Sequence, residues 1–276
     1  MTLCCGQVFR WDKVGGWWFG VAKDRVFKVR QCGSTLDFVN VDEQFAVRFF
    51  GLDEDLGKIR DSINRDAHIG RALEAFWGLR LIRQDPWECL VSYICATYKG
   101  IPAIKSMLQK LSRRFGERVV FEGCEFFTFP SVEGLACASL ESLAACGLGY
   151  RAKYLLATSK RVFESSFDLE SLKRLPYVEA KKVLCGFAGV GPKVADCVLL
   201  FSLGKSEAFP VDVWVKRVIL NHYKQKLPNA LAHKLSGQAG LSDSEYAKLG
   251  MFGRSYFGEY AGYAQEYLYH YERILR

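Results

Sequence analysis

One tight turn between two apolar stretches constrains this chain more than any other feature. Val178 to Gly186 has helical periodicity, Phe187-Ala188-Gly189-Val190-Gly191 reads as the turn, and Pro192 restarts a helix expected to reach about Leu203, before Gly204. The pattern is helix-hairpin-helix, spanning about residues 178–203. Two glycines open backbone conformations closed to other residues, and the N-terminus of the second helix offers unpaired amides to a phosphate oxygen. Gly189, Val190 and Gly191, with Lys193, are therefore candidate contacts to a nucleic-acid backbone, which such a turn grips without reading sequence. A G-x-G turn taken alone reads more readily as an ordinary connection between packed helices.

Lys193 shifts the balance. It stands in the first turn of the second helix, where the positive end of the helix dipole disfavours an ammonium, so its pKa is expected to fall if it is also partly buried. A neutral amine is a nucleophile that forms a Schiff base with an opened sugar. Further along, Phe209-Pro210-Val211-Asp212-Val213 places a carboxylate at the N-cap of another helix, expected over Val213 to about Tyr223. Capping alone explains an aspartate there. The functional reading adds stabilisation of a cationic sugar or shuttling of the lysine proton, and the helix N-terminus is expected to hold the carboxylate ionised.

The rest of the chain reads as α+β, an N-terminal antiparallel β-sheet domain over residues 1–79 followed by a mainly α-helical core over 80–276 that carries the hairpin. Short alternating strands are expected at Gln7–Trp11, Trp17–Ala22, Val26–Arg30 and Thr35–Val41. Turn chemistry separates them at Val14-Gly15-Gly16, Lys23-Asp24-Arg25 and Cys32-Gly33-Ser34. This meander starts abruptly at residue 1, as if an opening strand preceded it. Helix is expected beyond about Leu79, beginning at Asp85-Pro86-Trp87-Glu88 with an N-cap acceptor, a proline in the first turn and a capping-box glutamate. A second helix starts near Pro102, buries Ile104, Met107, Leu108 and Leu111, and ends before Gly116. Two amphipathic stretches follow, Leu140 to Cys146 and Tyr154 to Phe163.

Composition narrows the partners. Lys and Arg total 38 against 30 Asp and Glu, a formal charge of +8 that favours a polyanion such as nucleic acid. The ten cysteines form no C-x-x-C pair, and reduced thiols inside a cell are the default reading. No secretory signal and no apolar run of membrane-spanning length is visible, so an intracellular protein without membrane partners is expected, nuclear in a eukaryote and in the cytoplasm or nucleoid of a prokaryote.

With Gly189-Val190-Gly191-Pro192-Lys193-Val194-Ala195-Asp196-Cys197 and Pro210-Val211-Asp212-Val213 in view, the chain closely resembles the 8-oxoguanine DNA glycosylase family of the helix-hairpin-helix superfamily. Gly6-Gln7-Val8-Phe9-Arg10-Trp11, Leu81 to Leu90, Leu148-Gly149-Tyr150-Arg151-Ala152-Lys153-Tyr154 and Tyr260 to Gln265 extend the likeness. It implies a bifunctional glycosylase and AP lyase, acting as a monomer on double-stranded DNA that contains oxidised guanine. Base excision would run through a lysine Schiff base and β-elimination on the 3′ side. Lys193 matches the Schiff-base lysine and Asp212 the catalytic aspartate. Gly6 matches the glycine whose carbonyl accepts the extra N–H of the oxidised purine, and Cys197 the thiol on one face of the flipped base. Gln265 matches the reader of the Watson–Crick edge and Tyr269 the aromatic on the other face. Tyr150 matches the wedge that fills the gap left by the extruded nucleotide, and Arg151 a contact to the orphaned base. No cofactor is required, although carbonyls of the hairpin turn are expected to suit a cation that bridges to phosphate.

The chain departs from the animal and plant pattern at several positions. Tyr98 and Lys99 stand where those relatives carry asparagines, Ala103 where they carry a cytosine-reading arginine, and Trp214 where a histidine follows the aspartate. A relaxed preference for the opposite base is expected. Two other readings stand beside this one. An alkylpurine-type glycosylase would keep the hairpin and aspartate without the lysine, and a non-catalytic helix-hairpin-helix protein would only hold DNA. The iron–sulfur branch needs a C-terminal cysteine cluster, and no cysteine follows Cys197.

Overall fold

Four short strands, rich in aromatic and β-branched residues and separated by turn signals, form an antiparallel meander in the order β1 (Trp11–Val14), β2 (Trp17–Ala22), β3 (Arg25–Cys32), β4 (Thr35–Val39) in a computed structural model. The structure describes residues 1–22, 24–238 and 240–274; Lys23 of the second expected turn lies outside them. In the register Trp11 faces Gly20. A Cβ at residue 20 would stand 2.3 Å from the indole of Trp11, so glycine lets that ring lie flat on the sheet and meet Phe27 edge-on at 4.9 Å.

Residues 7–10 do not form the expected first strand. Gln7 is buried, its side chain donates to the carbonyl of Arg80 at 2.8 Å and accepts from the amide of Ile82 at 2.7 Å, and Gln84 donates to its carbonyl at 2.7 Å. These side-chain bonds satisfy the backbone of both segments and leave no ladder to form. They also pin the residues preceding Gln7, including Gly6, against the helical part of the molecule.

Helix begins at Glu43 rather than near Leu79. Asp42, Asp55 and Asp66 cap α1 (Glu43–Phe49), α2 (Leu56–Ile63) and α3 (Ala67–Ala75), each accepting from amides of the first turn. Helix α1 closes the core of the sheet with Ala46, Phe49 and Phe50, whereas Ile59, Ile63, Ile69 and Leu73 of α2 and α3 join the larger core of the C-terminal helices. Then follow α4 (Pro86–Ala96), capped by Asp85, and α5 (Ile101–Phe115). A hairpin not foreseen from the sequence, β5 (Arg118–Phe121) and β6 (Cys124–Phe127), lays Phe126 against Phe19 of the sheet at 6.3 Å.

The expected stretch from Leu140 to Cys146 is divided. After α6 (Val132–Ala136), α7 (Leu140–Leu143) widens into a π-type turn over 144–148, where Gly147 takes a positive φ of 85°. Next come α8 (Arg151–Glu164), α9 (Tyr177–Cys185), α10 (Pro192–Ser202), α11 (Val213–His222), α12 (Asn229–Ser236), α13 (Asp243–Phe257) and α14 (Ala261–Ile274). Helix α10 packs on α4 and α9, and α14 packs on α3, α11 and α13. Both are therefore central and buried beyond their first turns, which makes them rigid mounts for side chains. Among the described residues no helix is long and apolar enough to cross a membrane.

Candidate active site

The hairpin is α9, the turn and α10, and α8 supports it from beneath. Thr158 donates to the carbonyl of Ala188 at 2.9 Å, Arg161 donates to that of Gly186, and a Cβ on Gly189, whose φ is 77°, would stand 2.7 Å from Cβ of Tyr154. The glycine at 189 thus meets two demands, the left-handed backbone and the close approach of α8.

Lys193 and Asp212 come from the starts of α10 and α11 and open into one recess. Gly6, Tyr93, Cys197, Phe201, Pro210, Gln265, Glu266 and Tyr269 complete its lining. Lys193 is half-buried, with Nζ 5.2 Å from the ring centroid of Tyr93. That ring is held by stacking on Phe201 at 5.6 Å and by donation of its hydroxyl to the carbonyl of Gln7 at 3.4 Å. Asp212 caps α11, accepting from the amides of Trp214 and Val215, both at 2.9 Å.

Burial pushes the Asp212 carboxyl above its ordinary value, outweighing the two cap bonds and the charge of Lys193, which all pull it down. The two cap bonds act in the direction expected of a helix N-terminus, and desolvation in the recess opposes them as the larger effect. Cys197 lies on the recess wall with its thiol pushed up to about 12 by burial, so at neutral pH it is a polarisable, uncharged surface and not a nucleophile.

Gly6 reaches the recess with a positive φ of 112°, and a Cβ there would crowd Arg273 at 3.0 Å and Ile101 and Tyr269 at 3.2 Å. Arg273 explains part of that crowding. It donates to the Tyr269 hydroxyl and to the Cys4 carbonyl, each at 3.0 Å, and so ties the tyrosine to the N-terminal segment. Tyr93, Phe201, Glu266 and Arg273 were not singled out from the sequence; the i+4 spacing from Lys193 to Cys197 and from Gln265 to Tyr269, continued to Arg273, carried the signal for the last of them.

Tyr150, Arg151 and Tyr98 lie outside the recess. Tyr150 is half-exposed and meets Tyr154 edge-on at 5.9 Å. Tyr98 is 94% exposed at a left-handed φ of 55°. Arg151 is only 4% exposed, and its guanidinium donates to the carbonyls of Thr97 and Leu148, the latter at 3.3 Å. The structure thus places Arg151 beneath the turn that presents Tyr98; contact with a base would require those bonds to open.

Glu266 is a buried acid in the lining of the recess. It is 2% exposed, and burial raises its carboxyl from 4.5 to about 7 despite the Cys5 thiol and Arg273. Between those values the folded chain binds more protons than the unfolded one, so stability falls as pH rises through the window and stays reduced above it. Glu266→Gln removes this linkage. Its Tm is expected to exceed that of the unsubstituted protein at pH 8, by an equivalent of up to about 3 kcal/mol, with the difference closing by pH 5. Thermal melts at the two pH values check this, and an equal difference at both would show that Glu266 does not titrate in the window.

Comparison with known proteins places this geometry. The family model for the 8-oxoguanine DNA glycosylase N-terminal domain matches residues 1–90, and that for the HhH-GPD superfamily of base excision DNA repair proteins matches residues 92–235. The N-glycosylase/DNA lyase OGG1 of Arabidopsis thaliana is 32% identical over 295 residues, covering 98% of this chain and 75% of that protein. A probable N-glycosylase/DNA lyase of Methanothermobacter thermautotrophicus is 33% identical over 228 residues, covering 75% and 68%. The crystal structure of the Clostridium acetobutylicum 8-oxoguanine glycosylase/lyase, in complex with double-stranded DNA containing cytosine opposite 8-oxoG, superposes with a TM-score of 0.86 at 34% identity, covering 98% of this chain and 89% of that one. The likeness thus runs along nearly the whole length, and the chain belongs to the 8-oxoguanine DNA glycosylase family of the helix-hairpin-helix base-excision repair superfamily.

Proposed function

We propose that this protein excises 8-oxoguanine from duplex DNA and then cleaves the strand at the resulting site. One observation carries the reading: an amine and a buried carboxyl from two different helices share a recess with Gly6, Cys197, Gln265 and Tyr269. A protein that merely held DNA would gain nothing from desolvating Asp212, and an alkylpurine-type glycosylase would not need the amine.

In the proposed reaction the hairpin amides of Gly189 and Gly191 hold a phosphate and the damaged nucleotide rotates out of the stack, at a cost of a few kcal/mol that filling of the gap by Tyr150 offsets. The base enters between Cys197 and Tyr269, with its Watson–Crick edge toward Gln265 and its extra N–H toward the Gly6 carbonyl. Lys193 attacks C1′, a bond forms from Nζ, and the glycosidic bond breaks with its electron pair leaving on the base. Asp212, made a better proton acceptor by burial, takes the proton that Nζ sheds. Ring opening gives the Schiff base, and loss of a C2′ proton then expels the 3′ phosphate. A cation bridging the hairpin to phosphate would use carbonyls other than those of Gly186 and Ala188, which Arg161 and Thr158 already engage. No step runs through it.

Borohydride reduction during reaction on a duplex containing 8-oxoguanine tests the reading. A covalent protein–DNA adduct is expected, and base release without any adduct would remove the Schiff base from the scheme.

The opposite strand faces Tyr98, Lys99 and Ala103, all exposed, while Arg151, matched to a contact with the orphaned base, is engaged beneath them by the carbonyls of Thr97 and Leu148. A bidentate base contact is worth about 1–3 kcal/mol of discrimination. Excision opposite cytosine and opposite adenine is therefore expected to differ by less than about tenfold, and a hundredfold cytosine preference in single-turnover rates would contradict this.

A further inference from the structure

Two acceptor oxygens in the recess are buried and have no hydrogen-bond partner among the described residues, Oε1 of Gln265 and Oε1 of Glu266. They belong to consecutive residues of α14, and both side chains line the recess beside Lys193, Asp212 and Gly6. Around Glu266 stand the Cys5 thiol, the hydroxyl-bearing rings of Tyr93 and Tyr269, the carboxyl of Asp212 and the guanidinium of Arg273. Among the described residues no lysine or arginine forms an ion pair with it. An apolar side chain at this place would avoid the penalty of withdrawing a carboxyl from water with one oxygen unpaired. Such a group has a physical rationale when a ligand completes its bonding.

The chemistry of that ligand follows from the orphaned atoms. An oxygen of a carboxylate accepts, and so does the amide oxygen of Gln265. Their counterpart has to present donors side by side. A guanine-type edge does so with its ring N1–H and its 2-amino group, whereas an adenine-type edge has an amine next to an unprotonated ring nitrogen. We propose that Glu266 is a specificity-determining residue, its free carboxyl oxygen accepting a hydrogen bond from the 2-amino group of the extruded base while Gln265 takes the neighbouring ring N–H. The inference rests on the proposed excision of 8-oxoguanine and adds to it the reading of a group unrelated to oxidation.

The test is single-turnover base release from two duplexes that differ only in the 2-amino group of the lesion, 8-oxoguanine and 8-oxohypoxanthine, by the unsubstituted protein and by Glu266→Gln, Glu266→Ala and Glu266→Met. The unsubstituted protein is expected to favour 8-oxoguanine by about tenfold or more. Alanine and methionine should bring the ratio within about twofold, and glutamine, whose carbonyl still accepts, should keep most of it. Because each ratio compares two substrates in one protein, a general loss of activity cancels, and methionine fills the site should alanine prevent folding. A ratio unchanged in Glu266→Ala or Glu266→Met overturns the inference alone, as does a ratio near one in the unsubstituted protein. Failure of the unsubstituted protein to release either base overturns the proposed function and this inference together.

Discussion

Lys193→Gln is expected to yield no borohydride-trapped adduct and to slow single-turnover base release by about a thousandfold or more. Glutamine, one atom shorter, keeps an unbranched polar side chain, but the lone pair of its amide nitrogen is delocalised into the carbonyl and is not nucleophilic. The substitution also removes a charge that favours ionised Asp212, so the carboxyl left behind should rise further. DNA binding should change far less than catalysis, since the turn at Gly189–Gly191 and its supports from Thr158 and Arg161 are untouched. Gel-based trapping, run beside an equilibrium binding measurement, checks both halves. An adduct of normal yield in the variant would assign the nucleophile to another amine.

Asp196→Ala is expected to destabilise the fold by about 3–5 kcal/mol. The Asp196 carboxylate lies in the buried run of α10 and accepts from Tyr177 at 2.7 Å, Lys181 at 2.8 Å and Tyr246 at 2.6 Å. Truncation removes the acceptor shared by two buried hydroxyls and an ammonium, leaving Lys181 with the Tyr177 hydroxyl alone. The Tyr246 hydroxyl in turn accepts from the amide of Val211 at 3.3 Å, the residue before Asp212. Asp196 is thus a positioning residue that couples the helix bearing Lys193 to the loop bearing Asp212. Tyr246→Phe, which opens this link while leaving two partners on Asp196, is expected to cost only about 1–2 kcal/mol. Denaturant titration measures both, and an Asp196→Ala midpoint close to that of the unsubstituted protein would show that the network holds nothing together.

The hairpin was legible because its cues are local. Glycines, a proline and an apolar period fall within a short window, and α9 and α10 start and stop within a residue of where those cues put them. The meander after Trp17 was legible for the same reason. The segment at Gln7 was misread because its backbone is satisfied by side-chain amides from residues far along the chain, which no local alternation records. Helices α1 to α3 carried their signal in the capping aspartates at 42, 55 and 66, but their short apolar periods were lost beside the longer ones that follow. At the site, Cys197, Gln265 and Tyr269 came from the family resemblance, with which their spacing of four along α10 and α14 agrees. Glu266 and Asp196 stayed hidden since an acid in an apolar run declares itself only when its neighbours in space are known. The cap at Asp212 was legible from sequence, whereas the desolvation that opposes it depends on the recess and was not.

Helix α8 carries at its start Tyr150 and Arg151, which sit at the proposed gap in the duplex, and further along Tyr154, Thr158 and Arg161, which fix the hairpin. At 1.5 Å of rise per residue, the span from Tyr150 to Thr158 is about 12 Å of inextensible rod. In the proposed complex that rod works as a calliper, one jaw on the backbone of the damaged strand and the other in the stack. Its setting is built in before DNA arrives, so the enzyme would sense whether a nucleotide can be drawn out to a fixed offset, and the recess would then judge only bases that have already passed a mechanical test.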